Sequence, residues 1–451
     1  MSLPRNLQYV NAIQSSYARN YQSNIAPQNG LGPYGPGETI IVNIPTSRNT
    51  VLSGGDSVLK FNLTVTNGGT ANNFVRLGAS GAHGVIQRIR LWHGSTLLSD
   101  IDDYACLVAM CMAVQESGDR SHGIQTILAG TESVSVVGDS MAEPLHCGEK
   151  LHTGALAAYV ASPLAGVTDA RTFCIPIMNF LSYSEKYCPL YAMTGSPLRV
   201  EIQLVDNPLK AVCSAQVLAT FTVSNVEYIG NFMELSDSGI EKVQMASGPT
   251  MKWVVQDWRS YSHTATVADG AEISVPIAAK FNSLRSLMTA YRTKSAGVVA
   301  HYANGSHHLG LQSYTVRIGS RVVPTKAPST KTEMFSELIR AFGSISDLNH
   351  EPNISSAVYA DVQVPLTNNE SATTPTVRTH QNAFYTGLDL ESYSNSGMGN
   401  VYQGMNTSTE DVFLTLNYAS AGTSAGAVKV NTFAYYDQVI IIENGFCTVQ
   451  Y

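Results

Sequence analysis

The chain has 451 residues, of which 44% are hydrophobic and 14% are charged, with 27 basic and 34 acidic side chains. This composition excludes a coiled coil, a long-helix repeat and a disordered chain, since each of those classes is far richer in charged or polar residues. A net charge of −7 also disfavours a surface that binds a phosphate backbone, which needs clustered Lys and Arg. The length allows two or three domains.

The N-terminal residues contain no apolar stretch of signal-peptide length, and no window approaches the apolar length of a membrane-spanning helix. We therefore expect synthesis and folding in a reducing compartment, without secretion through a signal peptide. The seven cysteines agree with this, because their number is odd, their spacing is irregular and no CxxC pair occurs. We expect them to be small buried hydrophobic side chains.

Residues 1–37 are polar with scattered Tyr and end in NGLGPYGPG, which predicts an extended N-terminal arm. Alternating apolar and polar residues then predict a series of half-buried strands. The acids that open DDYACLVAMCMAV predict a helix at Asp102–Val114. The predicted strands are Thr39–Pro45, Ser57–Thr66, Val85–Trp92, Thr172–Met178, Leu198–Val205 and Thr220–Ile229.

The second half of the chain repeats this pattern. A helix is predicted at Thr330–Phe342, where Thr330 and Glu333 form the signature of a capping box. The predicted strands are Lys252–Trp258, Glu272–Pro276, Tyr314–Val323, Ala357–Leu366, Phe384–Leu390, Val412–Tyr418 and Val428–Ile442.

Three pairs of segments recur in the same order in the two halves, which indicates a duplicated module of roughly 200 residues. The pairs are Gly94-Ser95 with Gly319-Ser320, Pro176 with Pro365, and Phe221 with Phe433. The predicted modules are residues 38–240, with a long insertion near 116–170, and residues 250–451, with an insertion near 367–410. Ser236–Pro249 is predicted to join them.

A unit of this size with one helical crossing fits a jelly roll better than an immunoglobulin sandwich. The predicted fold is therefore all-β, with two tandem eight-stranded jelly rolls and short helices in the connecting loops.

A search for catalytic, cofactor-binding and metal-binding residues yields none that we assign. Gly30 to Gly35 match GxGxxG, but the dinucleotide fingerprint needs a strand before it and a helix after it, and Pro33 and Pro36 block that helix. A metal-binding cupin would need an HxH pair, which does not occur. The nearest histidine group, His301, His307 and His308, is interpreted as a solvated loop.

Charged side chains also recur on predicted strands and helix starts. Asp389 and Glu391 share one strand face, as the carboxylates of a glycosidase could, although such pairs are common on any surface. Asp100 lies near Asp102 and Asp103, which are interpreted as acids at a helix start. Arg88, Arg90 and Trp92 share a strand face that could contact an anion or a base, but a polar face paired with neighbouring carboxylates is favoured.

The segments that follow resemble a known family of proteins. They are YTVRIGSRVVPT (Tyr314–Thr325) with the helix that ends at Phe342, FYTGLDLES (Phe384–Ser392), YQGMNTSTEDVFLTL (Tyr402–Leu416) and the closing VIIIENGFCTVQY. The chain resembles the double jelly-roll major capsid proteins of tailless icosahedral double-stranded DNA viruses, particularly those of virophages and polinton-like viruses. The likeness covers most of residues 38–451.

This resemblance implies a structural protein rather than an enzyme, with no cofactor. It implies a homotrimeric, pseudo-hexagonal capsomer that tiles an icosahedral shell around the genome, in a virion assembled inside the host cell. The implied partners are other copies of the chain, neighbouring capsomers, and penton and minor capsid proteins, without sequence-specific nucleic-acid binding. Whether a membrane underlies the shell does not follow from the sequence. The alternative function is a two-domain jelly-roll lectin or glycan-processing protein.

Overall fold

A computed structural model of the chain describes most of two consecutive β-rich modules. The described residues are 18–67, 75–77, 80–114, 127–130, 168–184, 186–214, 219–248, 250–267, 270–293, 305–343, 354, 359, 383–392, 403–418 and 426–451. The predicted strand Ala357–Leu366 lies almost entirely outside them.

The first module forms two four-stranded antiparallel sheets, with the orders β1-β10-β3-β7 and β2-β8-β5-β6, and a small pair β4-β9. A helix, α3, follows its last strand. The bounds are β1 (Ala18–Ile25), β2 (Thr39–Ile44), β3 (Thr50–Asn67), β4 (Val75–Leu77), β5 (Ile86–His93), β6 (Thr96–Asp102), α1 (Tyr104–Val114), β7 (Thr168–Ile175), α2 (Phe180–Tyr183), β8 (Leu198–Leu204), β9 (Val212–Ser214), β10 (Ala219–Leu235) and α3 (Asp237–Ser247).

The second module has the sheet orders β11-β18-β13-β16, with β19 added beside β18, and β12-β17-β14-β15. The bounds are β11 (Met251–Val267), β12 (Glu272–Ile277), β13 (Leu284–Thr293), β14 (Leu311–Ile318), β15 (Arg321–Val323), α4 (Lys331–Phe342), β16 (Tyr385–Asp389), β17 (Val412–Tyr418), β18 (Gly426–Glu443) and β19 (Phe446–Gln450).

The two modules share one topology. The strands β1, β2, β3, β5, β6, β7, β8 and β10 occupy the same sheet positions, in the same chain order, as β11, β12, β13, β14, β15, β16, β17 and β18. In both modules a helix follows a hairpin whose turn contains a glycine, Gly94 with φ of 58° and Gly319 with φ of 57°. This arrangement confirms the predicted pair of tandem eight-stranded jelly rolls.

Alternating side chains explain how each sheet acquires a buried face. In β2, Ile40, Val42 and Ile44 point into the core while their neighbours are only half-buried. The strand β17 repeats this pattern from Val412 to Tyr418. Because successive residues of a strand point to opposite faces, this spacing buries one apolar row per strand. One hydrophobic core extends through both modules.

The two predicted helices are confirmed as α1 and α4. Thr330 accepts a hydrogen bond from the backbone of Glu333, whose side chain accepts one in return from Thr330, which completes the predicted capping box. The two helices differ in burial, because every residue of α1 is buried whereas α4 buries Met334 and Leu338. A helix that is apolar on all sides needs cover on all sides, and for α1 the second module supplies part of that cover.

One prediction about the start of the first module was wrong. Residues 18–25 lie in the predicted extended arm, but they form β1, which pairs along its whole length with β10 from Ala18 opposite Leu235 to Ile25 opposite Tyr228. The sequence pattern did not predict this strand, because β1 is an edge strand whose side chains are mostly polar and exposed and do not alternate with apolar ones. The segment Ser236–Pro249, which was predicted to join the modules, lies between β10 and β11, and most of it is the helix α3 with Ser236 as its N-cap.

One of the three repeat anchors pairs Pro176 with Pro365, and Pro365 lies outside the described residues, so this pairing stays a prediction. By sheet position, the equivalent of β7 is β16. Residues 360–382 lie outside the described part of the chain. The predicted insertions near 116–170 and 367–410 fall mostly outside it as well, and they stay predictions.

Candidate functional site at the module junction

The two modules meet along β6 and β11. The backbone N–H of Asp102 donates a hydrogen bond to Ser260 Oγ at 2.8 Å. Gln438 Nε2, on β18, donates to the carbonyl of Leu98 at 3.2 Å. Nearby, the ring of Phe180 on α2 packs edge-on against Trp253, with 5.5 Å between centroids. The junction therefore combines apolar packing with direct hydrogen bonds between the modules.

A charged cluster closes one end of this junction. Asp103 stands between β6 and α1 with φ of 49°, a left-handed conformation that Asp tolerates better than most residues. Its carboxylate lies 3.2 Å from Arg292 on β13 and 2.5 Å from Lys429 on β18. Burial by itself would raise the pKa of Asp103, but the two cations outweigh burial and hold that pKa below its usual value. The carboxylate is therefore ionised and ties the first module to two strands of the second.

The hairpin between β18 and β19 holds the other end of the junction. The N–H of Gly195 donates to the carbonyl of Gly445 at 2.9 Å, and Thr96 Oγ1 donates to the carbonyl of Cys447 at 3.0 Å. A Cβ on Gly195 would lie 2.8 Å from the Gly445 carbonyl oxygen and 2.8 Å from the ring of Phe446. Only glycine fits this approach without moving the hairpin.

A second acid, Asp257 on β11, is fully buried in the junction. Neither of its carboxylate oxygens has a hydrogen bond of normal geometry to another described residue, although Ser99 and the backbone of Phe180 and Trp258 are close. Burial raises the pKa of Asp257 to about 7, because a low-dielectric environment disfavours the charged form. The junction therefore contains one acid that is ionised and one that titrates near neutral pH.

The structure pairs the predicted arginine face with carboxylates, as the favoured interpretation expected. Arg88 forms a two-pronged contact with Asp100, with nitrogen–oxygen distances of 2.7 Å and 2.6 Å. Arg90 lies 3.2 Å from Glu201, and the Trp92 indole N–H donates to the same carboxylate at 3.1 Å. These side chains therefore form a cross-strand ladder rather than a free anion-binding face.

The acids predicted as helix-start residues have a different role. Asp102 accepts a hydrogen bond from Gln87, and Asp103 forms the ion pairs that join the modules. The helix α1 has no acid in its first turn. Sequence reasoning missed this role because both partners of Asp103 lie more than 180 residues away along the chain.

The predicted carboxylate pair on the second module belongs to another ion cluster. Glu391 accepts a hydrogen bond from Arg285, whose guanidinium also lies 3.6 Å from Asp437. Asp389 accepts a hydrogen bond from the backbone of Glu391 at 2.9 Å. Because Arg285 is almost buried and binds Glu391, this carboxylate is a structural ion-pair partner rather than half of a glycosidase pair.

The interpretation of the histidine group as a solvated loop is wrong for His307. His307 is buried and donates its backbone N–H to the carbonyl of Tyr291, and His308 packs edge-on against Phe384 at 4.7 Å. His301 lies outside the described residues. The aromatic core of the second module draws this stretch inward, an effect that turn composition does not reveal.

The GxGxxG match lies in the loop between β1 and β2. The N–H of Tyr34 donates to the carbonyl of Val223 at 2.7 Å, and a Cβ on Gly32 would lie 2.8 Å from that same oxygen. The glycines thus let the loop approach β10. The segment that follows is β2, so no helix N-terminus is available for a pyrophosphate.

Four of the cysteines, Cys106, Cys111, Cys188 and Cys447, are buried, as predicted, and form no disulfide, whereas Cys174 is half-buried. Within the described ranges, no group of three or more His, Cys, Asp or Glu is arranged to hold a metal ion. Among the described helices, none combines the length and apolarity needed to cross a membrane.

The comparisons with known proteins bear on the fold. No family model matches the sequence, and no curated protein matches it either. Solved structures match over nearly the whole chain. The PBCV-1 virus capsid protein matches with a TM-score of 0.61 at 10% identity, over 98% of this chain and 99% of that one. The mavirus major capsid protein matches with a TM-score of 0.57 at 11% identity, over 100% and 95%.

The Faustovirus major capsid protein also matches, with a TM-score of 0.57 at 10% identity, over 97% of this chain and 94% of that one. These three proteins are double jelly-roll capsid proteins, and the chain has their fold. They are structural proteins rather than enzymes. The alternative of a lectin-like or glycan-processing protein finds no support among them.

Proposed function

We propose that this protein is a major capsid protein that forms a homotrimeric, pseudo-hexagonal capsomer. The observation that carries the proposal is the pair of jelly rolls with one strand order, joined by a buried junction. Three copies around an axis would present six similar modules, which suits tiling of an icosahedral shell with one gene product. The similarity in fold to viral major capsid proteins supports the same role.

The stiffness of the junction matters for this function. A capsomer with six equivalent edges needs a constant angle between the two modules of each chain. Asp103 with its two cations at one end, and the contact of Gly195 with Gly445 at the other, restrain that angle at two separate points. One continuous hydrophobic core between these points adds a restraint that does not depend on salt.

The proposed partners are further copies of the chain, neighbouring capsomers, and penton and minor capsid proteins. The proposed location is the virion, with assembly inside the host cell. The net charge of −7 supports a shell that encloses a genome without sequence-specific contacts to it, since such contacts require basic side chains aimed at base edges.

The test is light scattering after size exclusion on the purified full chain, with negative-stain images of the same peak. A trimer of 48.4 kDa chains has a mass of about three times that value, and we expect it to show six-sided outlines. A stable monomer across the micromolar range, or a trimer without six-fold appearance, would overturn the proposal.

A further inference from the structure

An open groove of about 580 Å³ lies where α3 meets the second module. One wall is the helix itself, with Glu241, Gln244 and Met245. The opposite side includes Tyr191, Met251 and Ile442. Met245 on the rim is 83% exposed. The lining therefore combines apolar side chains with polar ones, and Glu241 is its one acidic group.

The helix α3 is poorly covered by the residues that the structure describes. Ile240 is its one buried residue, and it packs against Val51 and Tyr191 in a small cluster separate from the main core. Val243 and Met245 are exposed. Because most helices in proteins are stabilised by packing of an apolar face, α3 has room for a further contact on its groove side.

The N-terminal segment of the chain begins beside this groove. The first residue of β1, Ala18, pairs with Leu235, and Ser236 directly after it caps α3. Residues 1–17 therefore connect to the sheet at the start of α3. Seventeen residues span about 26 Å even as a helix, whereas the 11-residue helix α3 is about 16 Å long. The segment is long enough to follow the whole groove.

The composition of residues 1–17 complements the groove. Leu3, Leu7, Val10 and Ile13 recur at intervals of three or four residues, a spacing that would put them on one side of a helix. Arg5 is the one charged side chain of the segment, and it would be complementary to Glu241 on the groove wall.

We propose that residues 1–17 dock into the α3 groove of their own chain, with their apolar side chains against Met245 and Met251 and with Arg5 beside Glu241. The same chain is the favoured source, because a segment tethered at the groove has an effective concentration of the order of millimolar. Docking covers the exposed Met245 and fixes the N-terminus at the junction between the modules. This binding site goes beyond the proposed capsid function and does not require the trimer.

Photo-crosslinking of the full chain tests the occupant. Benzoylphenylalanine replaces Met245 in one variant and Val243, on another side of α3, in a matched control. We expect crosslinks from position 245 to residues 1–17, and few from position 243. An equal mixture of ¹⁴N and ¹⁵N chains identifies the source, since docking within one chain yields only unmixed crosslinked peptides. Mixed peptides, crosslinks to another segment or no crosslinks would each overturn the proposal.

Hydrogen exchange supplies an independent readout with surface substitutions that leave the core untouched. We expect Met245→Glu to accelerate amide exchange in residues 1–17 by about tenfold, which corresponds to about 1.4 kcal/mol of lost docking free energy. Val243→Glu should leave the exchange of this segment unchanged. Equal exchange in wild type and both variants, or equal acceleration by both, would overturn the proposal. Neither readout depends on capsomer formation, so the failure of one proposal is distinguishable from that of the other.

Discussion

The Asp103 carboxylate of the first module lies 3.2 Å from the Arg292 guanidinium of the second. Both side chains are largely buried, with 5% of Asp103 and 13% of Arg292 exposed, and Lys429 completes the cluster. A buried pair of this kind adds little stability over an apolar replacement, but removal of one partner leaves an uncompensated charge. The cluster therefore restrains the angle at which the modules meet.

We expect Asp103→Asn to lower the free energy of unfolding by about 3–5 kcal/mol, because Arg292 then remains largely buried, and Lys429 half-buried, without a counter-charge. Urea denaturation measures the change. The matched control is Asp206→Asn, which removes an exposed pair with Lys210 and should cost less than about 1 kcal/mol. Similar losses in the two variants would contradict the special role of Asp103.

Asp257 is expected to make stability depend on pH near neutrality. Burial raises its folded-state pKa to about 7, above an unfolded value of about 3.9. Its stabilising contribution is thus complete below about pH 4 and is lost as pH rises through about 7. Asp257→Asn stays neutral, so the variant should match wild type in acid and exceed it by the order of 1–4 kcal/mol above pH 8.

The measurement is the difference in unfolding free energy between Asp257→Asn and wild type at several pH values. Other titrating groups contribute equally to both proteins, so the difference isolates Asp257. A difference that stays constant from pH 5 to pH 8 would disprove the raised pKa.

His83 is expected to give the stability of the protein the opposite pH dependence from that of Asp257. It is fully buried, its Nδ1 lies 3.3 Å from the Tyr104 hydroxyl, and burial lowers its pKa to about 3. Since the folded-state pKa lies below an unfolded value of about 6.5, its contribution is complete above that pH and is lost as pH falls toward 3.

We therefore expect His83→Gln, which cannot titrate, to lose less stability than wild type between pH 6.5 and pH 4. Thermal unfolding across this range measures the effect. A His83→Gln profile parallel to wild type would show that the imidazole does not limit acid stability.

Gly195→Ala tests the close approach between the modules. The added Cβ would lie 2.8 Å from the Gly445 carbonyl oxygen, a backbone atom that cannot move without the hairpin. We expect a loss of about 1–3 kcal/mol and capsomers with distorted six-sided outlines in negative stain. Gly35→Ala is the control, because nothing lies within 4 Å of its added Cβ. Unchanged outlines in Gly195→Ala would show that the junction tolerates a wider angle than proposed.

Local pattern predicted much of the scaffold before any contact was known. The strand β17 begins and ends where alternation predicted, at Val412 and Tyr418, and the capping box located the start of α4. The strand β13 was missed because LRSLMTAYRT does not alternate between apolar and polar residues. Both faces of this strand are buried, so neither face is marked by a polar row. Asp257 lies on the same strand face as the buried Trp253 and Val255. An acid in such an apolar row is a sequence feature that could have indicated the junction.

The sequence by itself determined most of the strands, the helices α1 and α4 and the two-fold repetition, because these depend on side-chain periodicity and capping within a few residues. Tertiary structure alone decided that Ala18–Ile25 is a strand of the sheet, and that Asp103 pairs with Arg292 and Lys429. Those outcomes depend on partners more than 180 residues away along the chain. Pairing at such separations is decided by the folded sheets and the burial of charge between them, which no local pattern encodes.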